Sequence, residues 1–251
     1  ERTENLGAAI VGAMRQIEIA NPDTLYGVLS MFSSQKWTNK AILNDSKIRD
    51  LIEHLSKRKL GNKDYPADLM GDAYEILLKK FADDSKAQAG EFYTPRSVVR
   101  LLVHILDPQP GETVYDPACG SGSLLIRALA EVPFEISGYG QEKESSTAGL
   151  AKMNAVLHNK ATIKIMAGNT FSDPQFIKNE DSSELERFDY IVANPPFSLK
   201  NWSDGLKEYG RFSGYGDRPP EKNGDYAWLM HILKTLKSTG KAAVILPHGV
   251  L

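Results

Sequence analysis

The chain reads as an α/β protein: a doubly wound, mostly parallel sheet preceded by an α-helical N-terminal domain. Three observations predict this. A Gly-rich turn, Asp116-Pro117-Ala118-Cys119-Gly120-Ser121-Gly122-Ser123, lies between a short strand-like run and a run with helical apolar spacing. From residue 97 onward, strand-length apolar runs alternate with helical ones, as a parallel sheet requires. Before that point the apolar spacing is helical throughout.

Taken in order, residues 6–14 are mostly apolar with helical period. Asn21-Pro22 forms a cap with proline in the first turn and opens a helix over 24–32. Ser46 caps a helix over 47–55, and Tyr65-Pro66 precedes another over 68–78. Lys57-Arg58-Lys59 reads as a solvated helix end in preference to a contact with DNA phosphates. The small, polar stretch 83–90 connects a helical domain, 1–85, to a second domain, 86–251. There a helix over 97–106 leads to a strand over 112–115, the Gly-rich turn and a helix over 124–130. Three strands follow: 135–141 ending at Glu142, 162–167 ending before Asn169, and 188–193 ending at Asn194. A helix over 226–236 and a fifth strand over 242–246 close the pattern.

Bulk properties narrow the function classes. At 251 residues, 41% hydrophobic and 25% charged, the composition is that of an ordinary globular protein. No run approaches the ~18 apolar residues of a membrane helix. Cys119 is the only cysteine, so no intrachain disulfide is possible, which fits a reducing cytoplasm. It reads as a space-filler in the turn, with no base beside it in sequence. The five histidines show no metal-ligand spacing, so no metal is expected.

The fourth strand ends in Asn194-Pro195-Pro196-Phe197. This puts an amide side chain and a proline carbonyl at the carboxyl edge of a sheet, with φ of both prolines fixed near −65°. Two such acceptors suit a planar NH2 group, and the adjacent ring suits the face of an extruded base. A plain Pro-Pro turn after a core strand is the alternative, but it leaves the Gly-rich turn unexplained.

That turn lacks the G-x-G-x-x-G pattern of dinucleotide binders, whose pyrophosphate rests on a helix N-terminus. Its acid followed by G-x-G suits a ligand with an amino-acid group and no pyrophosphate, Asp116 accepting from the ammonium. Glu142, about 20 residues past the glycines, stands where an acid takes ribose hydroxyls.

Together these motifs resemble S-adenosylmethionine-dependent N6-adenine DNA methyltransferases, and more narrowly the modification subunits of type I restriction-modification systems. The stretch Glu91-Phe92-Tyr93-Thr94-Pro95-Arg96 is similar to that family's cofactor-binding segment. Its order, this segment, then the Gly-rich turn, then Asn-Pro-Pro-Phe, is the order of the amino-methyltransferase class with those features. The resemblance covers most of the chain, including the helical part, where 6–10 and 37–39 are similar to type I subunits.

The resemblance implies a Rossmann-like domain that binds S-adenosyl-L-methionine. The residues implied are Glu91 to Arg96, Asp116, Gly120, Ser121, Gly122, Ser123, Glu142 and Asn169, the last hydrogen-bonding the cofactor's adenine although many relatives carry Asp there. Catalysis is implied at Asn194, Pro195, Pro196 and Phe197, acting on adenine in duplex DNA. Implied partners are double-stranded DNA, a specificity subunit, a second modification subunit and a restriction subunit, in the cytoplasm and away from membranes. A net charge of −2 is low for a self-sufficient DNA binder, so affinity is expected to come from those partners. The chain starts with Glu and stops after the fifth strand, so a fragment of a longer protein is expected. The aromatic, Gly-containing segment 198–223 is expected to be a lid, a DNA contact or a disordered loop. Two alternatives stay open: a self-sufficient adenine methyltransferase, and an enzyme that methylates RNA or protein glutamine.

Overall fold

The computed structural model describes residues 5–30, 37–59, 61, 64–65, 67–84, 94–160, 162–179 and 183–250. The first helices are α1 (Leu6–Ala20), α2 (Pro22–Leu25), α3 (Asp45–Ser56) and α4 (Ala67–Asp84). The Asn5 side chain caps α1 by accepting from Ala8 N. Two expectations are corrected here. The helix expected over 24–32 stops at Leu25, with Gly27 in the left-handed region at φ 71°. The N–H groups of Leu29 and Ser30 donate to the buried Glu18 carboxylate at 2.6 and 2.7 Å instead of to helical carbonyls. The cap of α3 is Asn44, which accepts from Lys47 N at 2.9 Å; Ser46 lies inside the helix and donates to the same Asn44 oxygen.

Five parallel strands form the sheet: β1 (Thr113–Asp116), β2 (Ser137–Glu142), β3 (Lys164–Ala167), β4 (Phe188–Ala193) and β5 (Leu236–Val244). Their order is β3-β2-β1-β4-β5. The chain therefore winds outward in one direction from β1 through β3 and in the other through β4 and β5. The fifth strand starts directly at the end of the last helix, six residues earlier than its apolar run indicates, because it pairs with Phe188 through polar residues. The remaining helices are α5 (Arg96–Leu106), α6 (Ser123–Ala130), α7 (Ser145–Leu157) and α8 (Asp225–Thr235).

Strand alternation distributes the core to two faces. Val114, Tyr190 and Val192 pack under α5, α6 and α7 with Val99, Leu102, Leu125 and Ala151. Tyr115, Ile191 and Ala193 face the other way, onto Phe176, Phe188 and Ile232 of α8. Tyr115 stacks on Phe188 with centroids 4.4 Å apart. A helix-side connection joins the two parts of the chain: the Glu75 carboxylate of α4 pairs with Arg127 of α6, and Tyr74 donates to Leu150 O of α7. No described helix is long and apolar enough to cross a membrane.

The Gly-rich turn needs room as well as backbone freedom. A Cβ at Gly140 of β2 would sit 2.9 Å from Ile165 Cδ1 and 3.0 Å from Cys119 Sγ. Gly140→Ala is therefore expected to lower the denaturant midpoint, at about 1–3 kcal/mol for overpacking a filled core. The double variant Gly140→Ala with Ile165→Val, which removes the nearer obstructing atom, should recover part of that loss.

Candidate active site

All five strands being parallel, their carboxyl ends share one edge, and the winding direction changes between β1 and β4. In such sheets ligands bind in the crevice at that change of direction. A cavity of about 200 Å3 opens there, walled by Pro117 and Gly120 after β1, Glu142 at the end of β2, Asn169 and Phe171 after β3, and Asn194 and Pro196 after β4. Four separate strand ends, spread over 80 residues, meet around one space.

The turn after β1 holds its shape through hydrogen bonds from every neighbour. Asp116 accepts from Ala118 N at 3.0 Å, and Cys119 N donates to Gln141 O at 3.0 Å. Gly120 and Gly122 have φ of 52° and 77°, where a side chain would be strained, and Gly122 leads into α6. The buried Asn154 amide of α7 donates to Ser121 O at 3.1 Å, and the hydroxyls of Ser121 and Ser123 share a hydrogen bond. Ser121, Ser123 and Asp116 are buried behind the wall rather than part of it.

Glu142 closes the turn from β2. Its carboxylate accepts from Gly120 N at 3.1 Å and Glu144 N at 2.8 Å. Burial raises the pKa of Glu142, and backbone N–H donors of Glu144, Gly120 and Lys143 partly oppose that shift. Burial also pushes Asp116 up to about 7, opposed by the Ala118 N–H and reinforced by the charge of Glu142.

After β3, Asn169 Oδ1 accepts from Phe171 N at 2.8 Å and Ser172 N at 3.3 Å, which leaves its NH2 group for a ligand in the cavity. Gln141 pins this loop, donating to Gly168 O and Asp173 O and accepting from Gln175 N. The segment expected to be lid, DNA contact or disordered loop is a packed series of turns. Trp202 and Phe212 pack with Phe171 and Trp228, and Trp202 Nε1 donates to Pro220 O. Arg211 is fully buried, donating to Thr170 O, Phe171 O, Lys207 O and His231 Nδ1. Burial brings Arg211 down to about 10 and, together with the Arg211 charge, holds His231 well below its ordinary pKa.

After β4, Pro195 is buried, Pro196 lines the cavity and Phe197, the next residue, is exposed. The Asn194 amide lines the cavity and donates through Nδ2 to Thr94 Oγ1 at 3.3 Å. Ser198 N donates to the buried Asp225 carboxylate at 2.6 Å, which anchors the chain as it leaves the motif.

The sequence-predicted residues divide three ways. Gly120, Glu142, Asn169, Asn194 and Pro196 converge on the cavity. Arg96 lies on the outside of α5 beside Glu131, at 4.0 Å, and Pro95 is exposed at the start of that helix. Glu91, Phe92 and Tyr93 lie outside the described residues. Thr147 and Trp228 line the cavity without having been singled out. Trp228 was hidden because its helical spacing reads as core; Thr147 lies in the first turn of α7, a helix that was not singled out in the sequence. Among the described residues no group of three or more His, Cys, Asp or Glu is placed to hold a metal ion.

Comparison with known proteins agrees with this geometry. The chain is 31% identical over 98% of its length to the methylase subunit of the type I restriction enzyme MjaIX of Methanocaldococcus jannaschii, covering 44% of that protein. It is 32% identical over 91% of its length to the HindI methylase subunit of Haemophilus influenzae, covering 48% of it. The crystal structure of a type I restriction-modification methyltransferase subunit from Streptococcus thermophilus superposes with a TM-score of 0.80 at 30% identity, over 98% of this chain and 53% of that one. The chain thus spans about half the length of the curated relatives it matches. The family model for N-6 DNA methylases matches residues 65–251, and with it the turn after β1, Glu142 and the Asn194 motif: the chain belongs to the N-6 DNA methylase family.

Proposed function

We propose that this chain is the catalytic part of a type I modification subunit, transferring a methyl group from S-adenosylmethionine to N6 of adenine in duplex DNA. The observation that carries this reading is the convergence of the Asn194-Pro195-Pro196-Phe197 motif with Glu142 and the turn at Gly120 on one cavity. The residues present fit the cofactor. Glu142 on the cavity wall offers acceptors to its ribose hydroxyls, Asp116 lies buried behind the same turn on the side of its ammonium, and the NH2 group of Asn169 suits an acceptor on its adenine. When bound, the cofactor supplies an already activated sulfonium methyl.

The chain's own residues do the rest. Asn194 Oδ1 and the Pro195 carbonyl accept from the exocyclic amino group, which draws its nitrogen toward tetrahedral geometry and frees a lone pair delocalised in the ring. Positioning that lone pair in line with the methyl supplies most of the remaining rate. Phe197, 48% exposed, offers a stacking face to the extruded base and offsets part of the few kcal/mol lost on unstacking it. Phe171, Leu199 and Trp228 form an apolar wall on one side of the cavity, and Trp202 packs behind it. The net charge of −2 leaves DNA affinity to partners: a specificity subunit, a second modification subunit and a restriction subunit, in the cytoplasm.

Asn194→Ala should abolish tritium transfer from labelled cofactor to adenine-containing duplex while calorimetric cofactor binding stays nearly intact. The loss expected is about 3 kcal/mol or more in the barrier, as for removal of an oriented transition-state hydrogen bond. Retained turnover would sink the assignment, and transfer to RNA or glutamine in preference to duplex would move the enzyme to another substrate class. Glu142→Ala should weaken cofactor binding tenfold or more, in line with about 1.5–3 kcal/mol for hydrogen bonds to a charged group; unchanged affinity would make Glu142 a support of the turn alone.

Asp116 yields a pH prediction. Its folded pKa, about 7, lies above the ordinary 3.8, so the folded state holds the proton more tightly than the unfolded one. Stability from this group is complete below pH ~4 and falls as pH rises to about 7. Asp116→Asn removes that loss. In cofactor-free enzyme its melting temperature should exceed the wild type by a margin that widens between pH 4 and 7 and is constant above. A constant margin across that range would contradict the assigned burial.

A further inference from the structure

We propose that Arg211, which lies outside the cavity wall, is a positioning residue that holds the Asn169 amide in the setting that binds the cofactor. This rests on the reading of Asn169 as a contact to the cofactor's adenine. Two peptide groups stand between the residues. The Thr170–Phe171 peptide gives its N–H to Asn169 Oδ1 at 2.8 Å, and its carbonyl accepts from Arg211 Nη2 at 2.6 Å. The Phe171–Ser172 peptide gives its N–H to the same Asn169 oxygen at 3.3 Å. Its carbonyl accepts from Lys207 N at 3.0 Å and from Arg211 Nη1 at 3.5 Å. Arg211 Nη1 also donates to Lys207 O, so the guanidinium fastens the residue with which it shares that carbonyl.

A trans peptide points its N–H and its carbonyl in opposite directions. Asn169 and Arg211 therefore grip opposite edges of the same two groups. This geometry selects one setting of the amide. A backbone N–H only donates, so the side-chain atom facing both peptides is Oδ1, and Nδ2 is left for a ligand in the cavity. Turning either peptide would withdraw its N–H and release the terminal torsion of Asn169, which is broad and roughly two-fold. An Asn side chain forms such a turn locally, but the carbonyls behind it still need donors, because Thr170 and Phe171 are buried. Arg211 supplies them from a fixed base: it is fully buried, and its Nε donates to His231 Nδ1 of α8 at 2.9 Å. Its planar fork serves both carbonyls at once, which a single ammonium does not.

The test uses the enzyme in its complete assembly with duplex substrate, comparing Arg211→Met, Asn169→Ala and the double variant. Calorimetric cofactor affinity, cofactor KM, kcat and melting temperature are read for each. Arg211→Met should weaken cofactor binding about 10-fold, the scale of one hydrogen bond lost from a buried site, and the loss should fall on KM more than on kcat. With Asn169→Ala already present, Arg211→Met should add less than about twofold, since both changes remove the same contact. If Arg211→Met does not fold, Arg211→Lys, which keeps the charge without the planar fork, is read in the same way. Full affinity in the Arg211 variant beside weakened binding in Asn169→Ala would overturn the proposal, the turn at Asn169 then holding itself. Additive losses in the double variant, or a loss confined to kcat, would also overturn it by placing the effect of Arg211 elsewhere than at Asn169. Asn169→Ala binding the cofactor as tightly as the wild type would instead remove the reading on which the proposal rests.

Discussion

The parallel pairing of β1 with β4, through Val114 with Tyr190 and Tyr115 with Ile191, is the constraint from which the site follows. It joins the two halves of the sheet back to back, so the chain leaves β1 on one side of the junction and β4 on the other. The connections cannot both fill the space above that junction, and a crevice remains. The Gly-rich turn and the Asn194 motif sit on its two sides because each is the first stretch of backbone past its strand.

Keeping the crevice open requires stiff walls, and the molecule makes them with buried polar side chains bonded to backbone. Gln141, Asn154 and Arg211 each bridge segments at least 20 residues apart. Arg211 is the extreme case: a fully buried guanidinium that donates to three carbonyls and a neutral imidazole. A buried charge is costly unless every donor is satisfied, so removing any of these acceptors would release the turns of 198–223 from the loop after β3. His231 takes the Arg211 donor on Nδ1, which places its own proton on Nε2, beside Tyr115 at 3.4 Å.

The acids oppose this rigidity electrostatically. Asp116 and Glu142 are both shifted upward by burial, and the charge of Glu142 adds to the shift of Asp116.

Local pattern determined a great deal by itself. Each expected strand of the sheet exists, and the two motifs stand at their ends, because period-2 burial and turn chemistry are properties of a few consecutive residues. Glu142 was legible from its distance past the glycines, and Cys119 as a filler, since Gly140 leaves room for little more. The helix expected over 24–32 failed because Glu18, eleven residues upstream of Leu29, captures the amides that would continue it. What the tertiary structure decided is which distant side chains meet. Arg96 lies beside Glu131, Thr94 beside the Asn194 amide and Arg211 under the loop after β3, none of which any spacing encodes. The reason is physical: a strand or turn is stabilised by its neighbours in the chain, whereas a hydrogen bond across 100 residues exists only once the sheet has brought two strand ends to the same edge.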